Sequence, residues 1–326
     1  MAHRFSVREG DPVRFSLATP YPLPQGLLTH TRTVFASSFG AFQETSPRVT
    51  GLNTLSLAVA HAPRAVPESA AAQLREDLRG PAIALNVDNA LLCGPIAQSG
   101  PRLIVTDVDS TFIQQEVIEM LAAAAGTEEQ VRAVTTRAMR GELDFAESLR
   151  ERVAMLKGIS ETVFTDVARQ IRLTDGAQSL VSTIHAHGGI FGLVSGGFHE
   201  VVDTFARPLN VDEILANRLT VHAGHLAGTT YGPIIDKAAK AAALTKWAER
   251  YGVPRTLTLA AGDGANDLGM MDAAGFSVAF CAKPIVLGHA DAAITTPRLD
   301  ALLALVGWDA QTPHRTVPTQ RYVSQH

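Results

Sequence analysis

The segment Leu103-Ile104-Val105-Thr106-Asp107-Val108-Asp109-Ser110-Thr111 runs from a short apolar strand into two aspartates one residue apart, followed by two hydroxyl residues. Residues i and i+2 of an extended chain point the same way. The C-terminal ends of strands in open α/β sheets look into the crevice where ligands bind. Two carboxylates placed there can share a divalent cation, or divide nucleophilic and acid–base work between them. Taken alone, the segment also reads as an Asx turn after a buried strand. Two later strand ends add to it: Gly192-Leu193-Val194-Ser195-Gly196-Gly197-Phe198, and Leu257-Thr258-Leu259-Ala260-Ala261 running into Gly262-Asp263-Gly264-Ala265-Asn266-Asp267. Glycines there let backbone N–H groups approach an anion closely. Asp263 and Asp267 would join Asp107 and Asp109, and carboxylates so crowded call for a cation. Oxygen-only ligands beside a phosphate point to magnesium. Lys237, Lys240 and Lys246 share one expected helix before the last motif, and nothing local decides which of them serves the same anion.

The order Asp-x-Asp, Ser, Lys, Gly-Asp-Gly-x-x-Asp resembles the haloacid dehalogenase-like hydrolase superfamily. Six segments carry a closer resemblance, to the phosphoserine phosphatases: residues 107–111, Gln115-Glu116, residues 138–145 (Ala-Met-Arg-Gly-Glu-Leu-Asp-Phe), residues 148–153 (Ser-Leu-Arg-Glu-Arg-Val), Ser195-Gly196-Gly197-Phe198 and residues 262–267. Together they span about residues 101–297. The resemblance implies that Asp107 is the nucleophile, forming an aspartyl-phosphate, and that Asp109 is the general acid and base. It implies magnesium held by the Asp107 carboxylate, the Asp109 backbone carbonyl and the Asp263 carboxylate, with Asp267 behind Asp263. Ser195, the Gly196 amide and Lys240 would bind the phosphoryl oxygens, and Asn266 would reach the phosphate or orient Asp263. Glu116 would meet the substrate's amine and Arg152, rather than its neighbour Arg150, its carboxylate, while Met139 and Phe145 shield the site. The implied reaction is hydrolysis of O-phosphoserine, the last step of serine synthesis. The alternatives are a related phosphatase or phosphotransferase acting on another phosphorylated amino acid, and an amino-acid sensor with a vestigial hydrolase. The chain departs from the family at Val108 and Ala261, where bulkier residues are usual. His199 reads as a helix-start residue.

The elements that must hold these residues follow a strand–helix alternation from residue 102 onward. That pattern predicts a doubly wound parallel sheet, a Rossmann-like α/β hydrolase core. Helical spacing over 127–139, 145–156 and 161–170 predicts a helical insert, and the resemblance makes it a cap of about 115–174. Thr127-Glu128-Glu129-Gln130 has the pattern of a capping box. Before the core, strands at 13–18, 55–60 and 82–87 and helices at 25–42 and 69–78 suggest a small α+β module over 1–97, ferredoxin-like or ACT-like, of a kind that can serve regulation. Residues 88–101 read as a Gly- and Pro-containing linker. The catalytic domain is then 98–312, and 313–326 is a polar, aperiodic tail.

With 326 residues and 46 % hydrophobic content, the chain can bury two cores. Lys and Arg number 28 against 32 Asp and Glu, without basic blocks, which argues against a nucleic-acid partner. Cys93 and Cys281 are far apart in sequence and read as small buried hydrophobes rather than a disulfide. Charges interrupt every apolar run, so neither a signal core nor a membrane span is expected. These features predict a cytoplasmic enzyme, and the N-terminal module offers a route to a homodimer.

Overall fold

The computed structural model describes residues 6–311, apart from the side chains of Glu68, Ser69 and Met139. The polar stretch 313–326 lies outside the described residues. In chain order the strands are β1 (Val13–Thr19), β2 (Gln43–Thr45), β3 (Asn53–Val59), β4 (Asp88–Cys93), β5 (Leu103–Thr106), β6 (Ile190–Phe198), β7 (Glu213–His222), β8 (His225–Tyr231), β9 (Thr258–Gly262), β10 (Phe276–Phe280) and β11 (Ala292–Ile294). They form one sheet in the order β2-β3-β1-β4-β11-β10-β9-β5-β6-β7-β8. From β11 to β7 every pairing is parallel. Strands β5, β9 and β10 are buried along their whole length and read as near-continuous apolar runs, as strands covered on both faces must.

The N-terminal strands pair antiparallel in the order β2-β3-β1-β4, with helices Gln25–Phe39 and Glu68–Ala84 between them. This is the ferredoxin-like βαββαβ arrangement. The second of these helices differs from the sequence pattern. Residues 82–87 read as a strand, but the helix runs on through Pro81 to Ala84. Leu74, Leu78 and Ala82, four residues apart, are all buried on one helical stripe, and that stripe outweighs the local strand pattern.

Residues 88–101 are not a linker. Asp88–Cys93 is a strand that pairs with β1 on one side and β11 on the other, and Pro95–Ser99 is a helix. Side chains alternate across a strand. Leu91 therefore packs in the N-terminal core, while Ala90 and Leu92 pack in the catalytic core. The same segment closes both cores. The buried C-terminal helix Ala301–Leu305 packs against β1, which ties the halves together again.

Between β5 and helix Ala177–Ala186 stand four helices: Val117–Ala125, Glu128–Met139, Phe145–Ala154 and Val163–Ala168. The capping box expected at Thr127 does not form, because the Thr127 hydroxyl turns back to the Ala122 carbonyl at 3.5 Å. A capping box forms instead at Asp144 and Glu147, where the carboxylates and backbone N–H groups exchange bonds of 2.8 and 2.9 Å. This box sets the start of the helix that carries Arg152.

Candidate active site

Three parallel strands, β5, β6 and β9, end side by side, and their C-terminal ends supply the acidic and hydroxyl residues. Beyond β5 the chain makes a wide turn over Val108–Phe112. Ser110 sits in it at φ 55°, left-handed space that is costly for a residue with a Cβ. Its N–H donates to the Gln115 carbonyl at 3.2 Å and its hydroxyl to Glu116 Oε1 at 2.7 Å. The turn thereby brings Glu116 back beside the two aspartates.

Asp107 is buried. Its Oδ1 accepts from the Val108 N–H and from Lys240 Nζ, both at 2.7 Å. Lys240 Nζ also donates to Asp267 Oδ1 at 2.8 Å, and both side chains are almost fully buried. Lys237 and Lys246, on the same helix, are exposed. Burial opposes a charge on Lys240, but Asp107 and then Asp267 outweigh it and raise its pKa. Asp267 Oδ2 accepts from the Gly264 N–H at 3.1 Å. A Cβ at Gly262 would collide with the Asp267 carboxylate, so only glycine lets β9 pass that close.

Carboxylate oxygens of Asp107, Asp263 and Asp267 lie within 4.8 Å of one another. Burial, and then Asp267, pushes the Asp107 carboxyl well above its ordinary range. The same two causes raise Asp263, while Lys283 works against them. Crowded, desolvated carboxylates of this kind fit a hard divalent cation, which would relieve the repulsion. Both Asp267 oxygens already hold donors, whereas among the described residues Asp263 accepts one long side-chain bond, from the Thr111 hydroxyl at 3.4 Å.

Asp109 is held apart from this cluster. Its Oδ1 accepts from the Val117 N–H at 2.7 Å and its Oδ2 from the Ser195 hydroxyl at 2.9 Å. Burial raises its pKa against the pull of those bonds. Ser195 Oγ in turn accepts from the Gly197 N–H at 2.7 Å. A Cβ on Gly197 would stand 2.8 Å from Asp109 Oδ2, which leaves no room for a side chain there.

A cavity of about 480 Å³ collects these groups. Its walls include Asp107, Asp109, Gly196, Asp263 and Asn266 from the strand ends, and Glu116, Phe145 and Arg152 from the helical side. Arg152 is half-buried and faces the cavity, its Nε donating to the Ser148 carbonyl at 3.2 Å, while Arg150 is exposed elsewhere. Burial lowers the Arg152 pKa. Glu116 lines the cavity at its exposed side. Burial, and then Asp109, pushes its carboxyl up to about 7. Met139 ends its helix, and its side chain lies outside the described residues.

The sequence pattern does not single out Asn217 or Lys283. Buried Asn217 donates to the Gly196 carbonyl at 2.8 Å and accepts from the Ile235 N–H at 2.9 Å. It thus ties the Ser195 turn to the approach to the Lys240 helix. Lys283 lines the cavity beside Asp263. Its place just after β10, at the same sheet end as the motifs, is the signal that could have marked it.

Comparison with known proteins follows the same residues. The haloacid dehalogenase-like hydrolase family matches residues 104–272. A phosphoserine phosphatase of Lactococcus lactis is 51 % identical over 184 residues, 56 % of this chain and 85 % of that protein. The phosphoserine phosphatase SerB2 of Mycobacterium tuberculosis is 50 % identical over 222 residues, 68 % of this chain, and the match spans only 54 % of that protein's length. The crystal structure of a probable phosphoserine phosphatase from Vibrio cholerae superposes with a TM-score of 0.71 at 32 % identity, over 90 % of this chain and 86 % of that one.

Proposed function

This chain belongs to the haloacid dehalogenase-like hydrolases and, within them, to the phosphoserine phosphatases, and from that premise we propose that it hydrolyses O-phosphoserine to serine and phosphate. One observation carries the reading. A single cavity joins Asp107, Asp109 and Asp263 to a carboxylate, Glu116, and a guanidinium, Arg152, a pairing that suits an amino acid's ammonium and carboxylate.

In the proposed reaction Asp107 attacks phosphorus through a carboxylate oxygen. A phosphorus–oxygen bond to Asp107 forms as the bond to the serine oxygen breaks. Asp109, whose raised pKa lets it carry a proton, delivers that proton to the leaving oxygen. It then takes one from the water that cleaves the aspartyl-phosphate. Ser195, the Gly196 amide, Lys240 and Asn266 hold the phosphoryl oxygens, where charge stabilisation does most of the work. Magnesium, held by Asp107, Asp263 and the Asp109 carbonyl with Asp267 behind, would supply the positive charge that lets an anionic phosphate approach. Phe145, on the helical wall of the cavity, shields the site from water. The same reading includes a cytoplasmic location and a homodimer through the N-terminal module. Among the described residues no helix is long and apolar enough to cross a membrane.

Arg152→Ala tests the substrate. It is expected to lose about ten- to a hundredfold in kcat/KM on O-phosphoserine, the scale of a lost charged hydrogen bond. An aryl phosphate without an amino-acid moiety should be hydrolysed almost as before. Arg150→Ala, at an exposed position, should match wild type on both. Equal losses on both substrates would make Arg152 a support of the helical wall and remove the amino-acid reading.

The pH dependence follows from Glu116. Its pKa of about 7 leaves it neutral at lower pH and unable to pair with an ammonium group. The kcat/KM for O-phosphoserine should therefore fall as pH drops through about 7, in a limb that is missing in Glu116→Gln and with the aryl phosphate. A limb identical in all three would clear Glu116 of this role.

Magnesium added to chelator-treated protein should raise its melting temperature. Linkage predicts about 2.7 kcal/mol at a hundredfold excess over Kd. Asp263→Asn should abolish most of that shift. An unchanged melting curve across a magnesium titration would dismiss the carboxylate cluster as a cation site.

A further inference from the structure

The connection between β10 and β11 meets the active site at one end and the N-terminal module at the other. At the site end Lys283 lines the cavity, and its backbone N–H donates to the Asp263 carbonyl at 3.2 Å. Lys283 is exposed, and among the described residues no ion pair is formed by its ammonium group. At the far end the connection is gripped by helix Glu68–Ala84. Arg75 donates to the Ala290 carbonyl at 2.8 Å and lies 3.7 Å from the Asp291 carboxylate. The buried Arg79 donates to the Asn89 side chain at 3.0 Å and, at 3.5 Å, to the same Ala290 carbonyl. Asp291 is anchored in turn by the Ser277 N–H and hydroxyl of β10 at 3.0 and 2.8 Å. Just beyond β11, Asp88 Oδ1 accepts from the N–H groups of Thr295 and Thr296 at 2.6 and 3.1 Å. Helix and strand of the N-terminal module therefore hold both the end of the connection and the strand after it.

We infer that the N-terminal module is a positioning element of the active site, acting through this connection to place Lys283 as an additional cation for the substrate's phosphate. The inference rests on the phosphatase reading above. The connection is pinned in its middle by the fully buried Val286 and by the His289–Asp272 contact at 2.7 Å, while Lys283, Pro284 and Ile285 at its site end are exposed. The arginines add a restraint at the far end of the connection, on Ala290 and Asp291. Each ends on a backbone carbonyl or carboxylate of the connection, so their effect is on placement rather than on chemistry.

A double-mutant cycle on the full chain tests this, with kcat and KM measured for O-phosphoserine and for an aryl phosphate. Lys283→Ala should raise KM for both substrates about tenfold, since both carry the phosphate. Arg75→Ala combined with Arg79→Ala should also raise KM, by several-fold, and should add almost nothing in the Lys283→Ala background. Arg75→Lys should restore most of the loss due to Arg75→Ala. Arg32→Ala, which breaks the Arg32–Glu44 pair elsewhere in the module, should leave both constants unchanged. If the paired variant does not fold, Arg75→Ala alone, at a side chain about a quarter exposed (23 %), completes the same cycle. Equal losses with and without Lys283, tracking the fall in melting temperature, would overturn the inference and leave the arginines as fold supports. Wild-type protein that hydrolyses the aryl phosphate but not O-phosphoserine would refute the substrate reading instead, and the cycle would still be read on the aryl phosphate.

Discussion

Asp107→Asn should abolish phosphate release from O-phosphoserine, with a loss on the order of 10⁶-fold, the scale seen when a hydrolase loses its covalent nucleophile. An amide cannot attack phosphorus to give a stable acyl phosphate. The variant should still fold, because an amide oxygen can keep both the Val108 N–H and the Lys240 bonds that Asp107 Oδ1 accepts. Lys240 also retains Asp267 as a charged partner. The loss would therefore be chemical rather than structural. Acid-quenched reactions with labelled O-phosphoserine should yield phosphorylated protein from the wild type and none from the variant. Turnover at a substantial fraction of the wild-type rate, or label retained on the variant, would exclude Asp107 as nucleophile.

Asp109→Asn should cost about 10²–10⁴-fold, the usual contribution of a positioned acid–base group. The asparagine can still accept from the Val117 N–H, so the turn after β5 should survive. Its amide cannot donate a proton to the serine oxygen in the first half-reaction or take one from water in the second. Both steps should slow. A substrate with a good leaving group needs no proton on departure, so an aryl phosphate should recover much of the first step and accumulate phosphorylated protein. Wild-type-like turnover of O-phosphoserine across the pH range would remove Asp109 from acid–base duty. Equal slowing of both substrates without accumulation would assign its effect to the Ser195 contact alone.

The convergence of these aspartates at one sheet end was legible in the sequence. Asp107 and Asp109 follow an apolar strand with the spacing that places them at its end, and the glycine-flanked Ser195 and Asp263 follow later strands in the same manner. Parallel strands built from buried apolar runs must align their C-terminal ends, so residues far apart in the chain converge there. Local pattern and topology agree at these positions, and that agreement makes them readable.

The readings that failed are those where burial came from elsewhere. Residues 88–101 carry turn formers on both sides of Ala90-Leu91-Leu92 and look like a linker. Only the packing of Leu91 into one core and Ala90 and Leu92 into the other makes the segment a shared strand. The helix Glu68–Ala84 continues past Leu78 because its buried stripe has a partner in the folded sheet. The Thr127 cap fails because the hydroxyl finds the Ala122 carbonyl instead.

Chain order and residue type by themselves determined the strand ends, the carboxylate pair and the class of fold, because these depend on periods of two and on short turns. Among equivalent side chains the local pattern was silent, and the choice of Lys240 and of Arg152 came from the family resemblance. Tertiary structure adds that Lys240 is buried between Asp107 and Asp267 while Lys237 and Lys246 are exposed, and that Arg152, not Arg150, lines the cavity. The reach of Asn217 and Lys283 into the site was decided by packing. A lone polar residue carries no mark of its partners, because those partners come from distant segments and exist only once the sheet has closed.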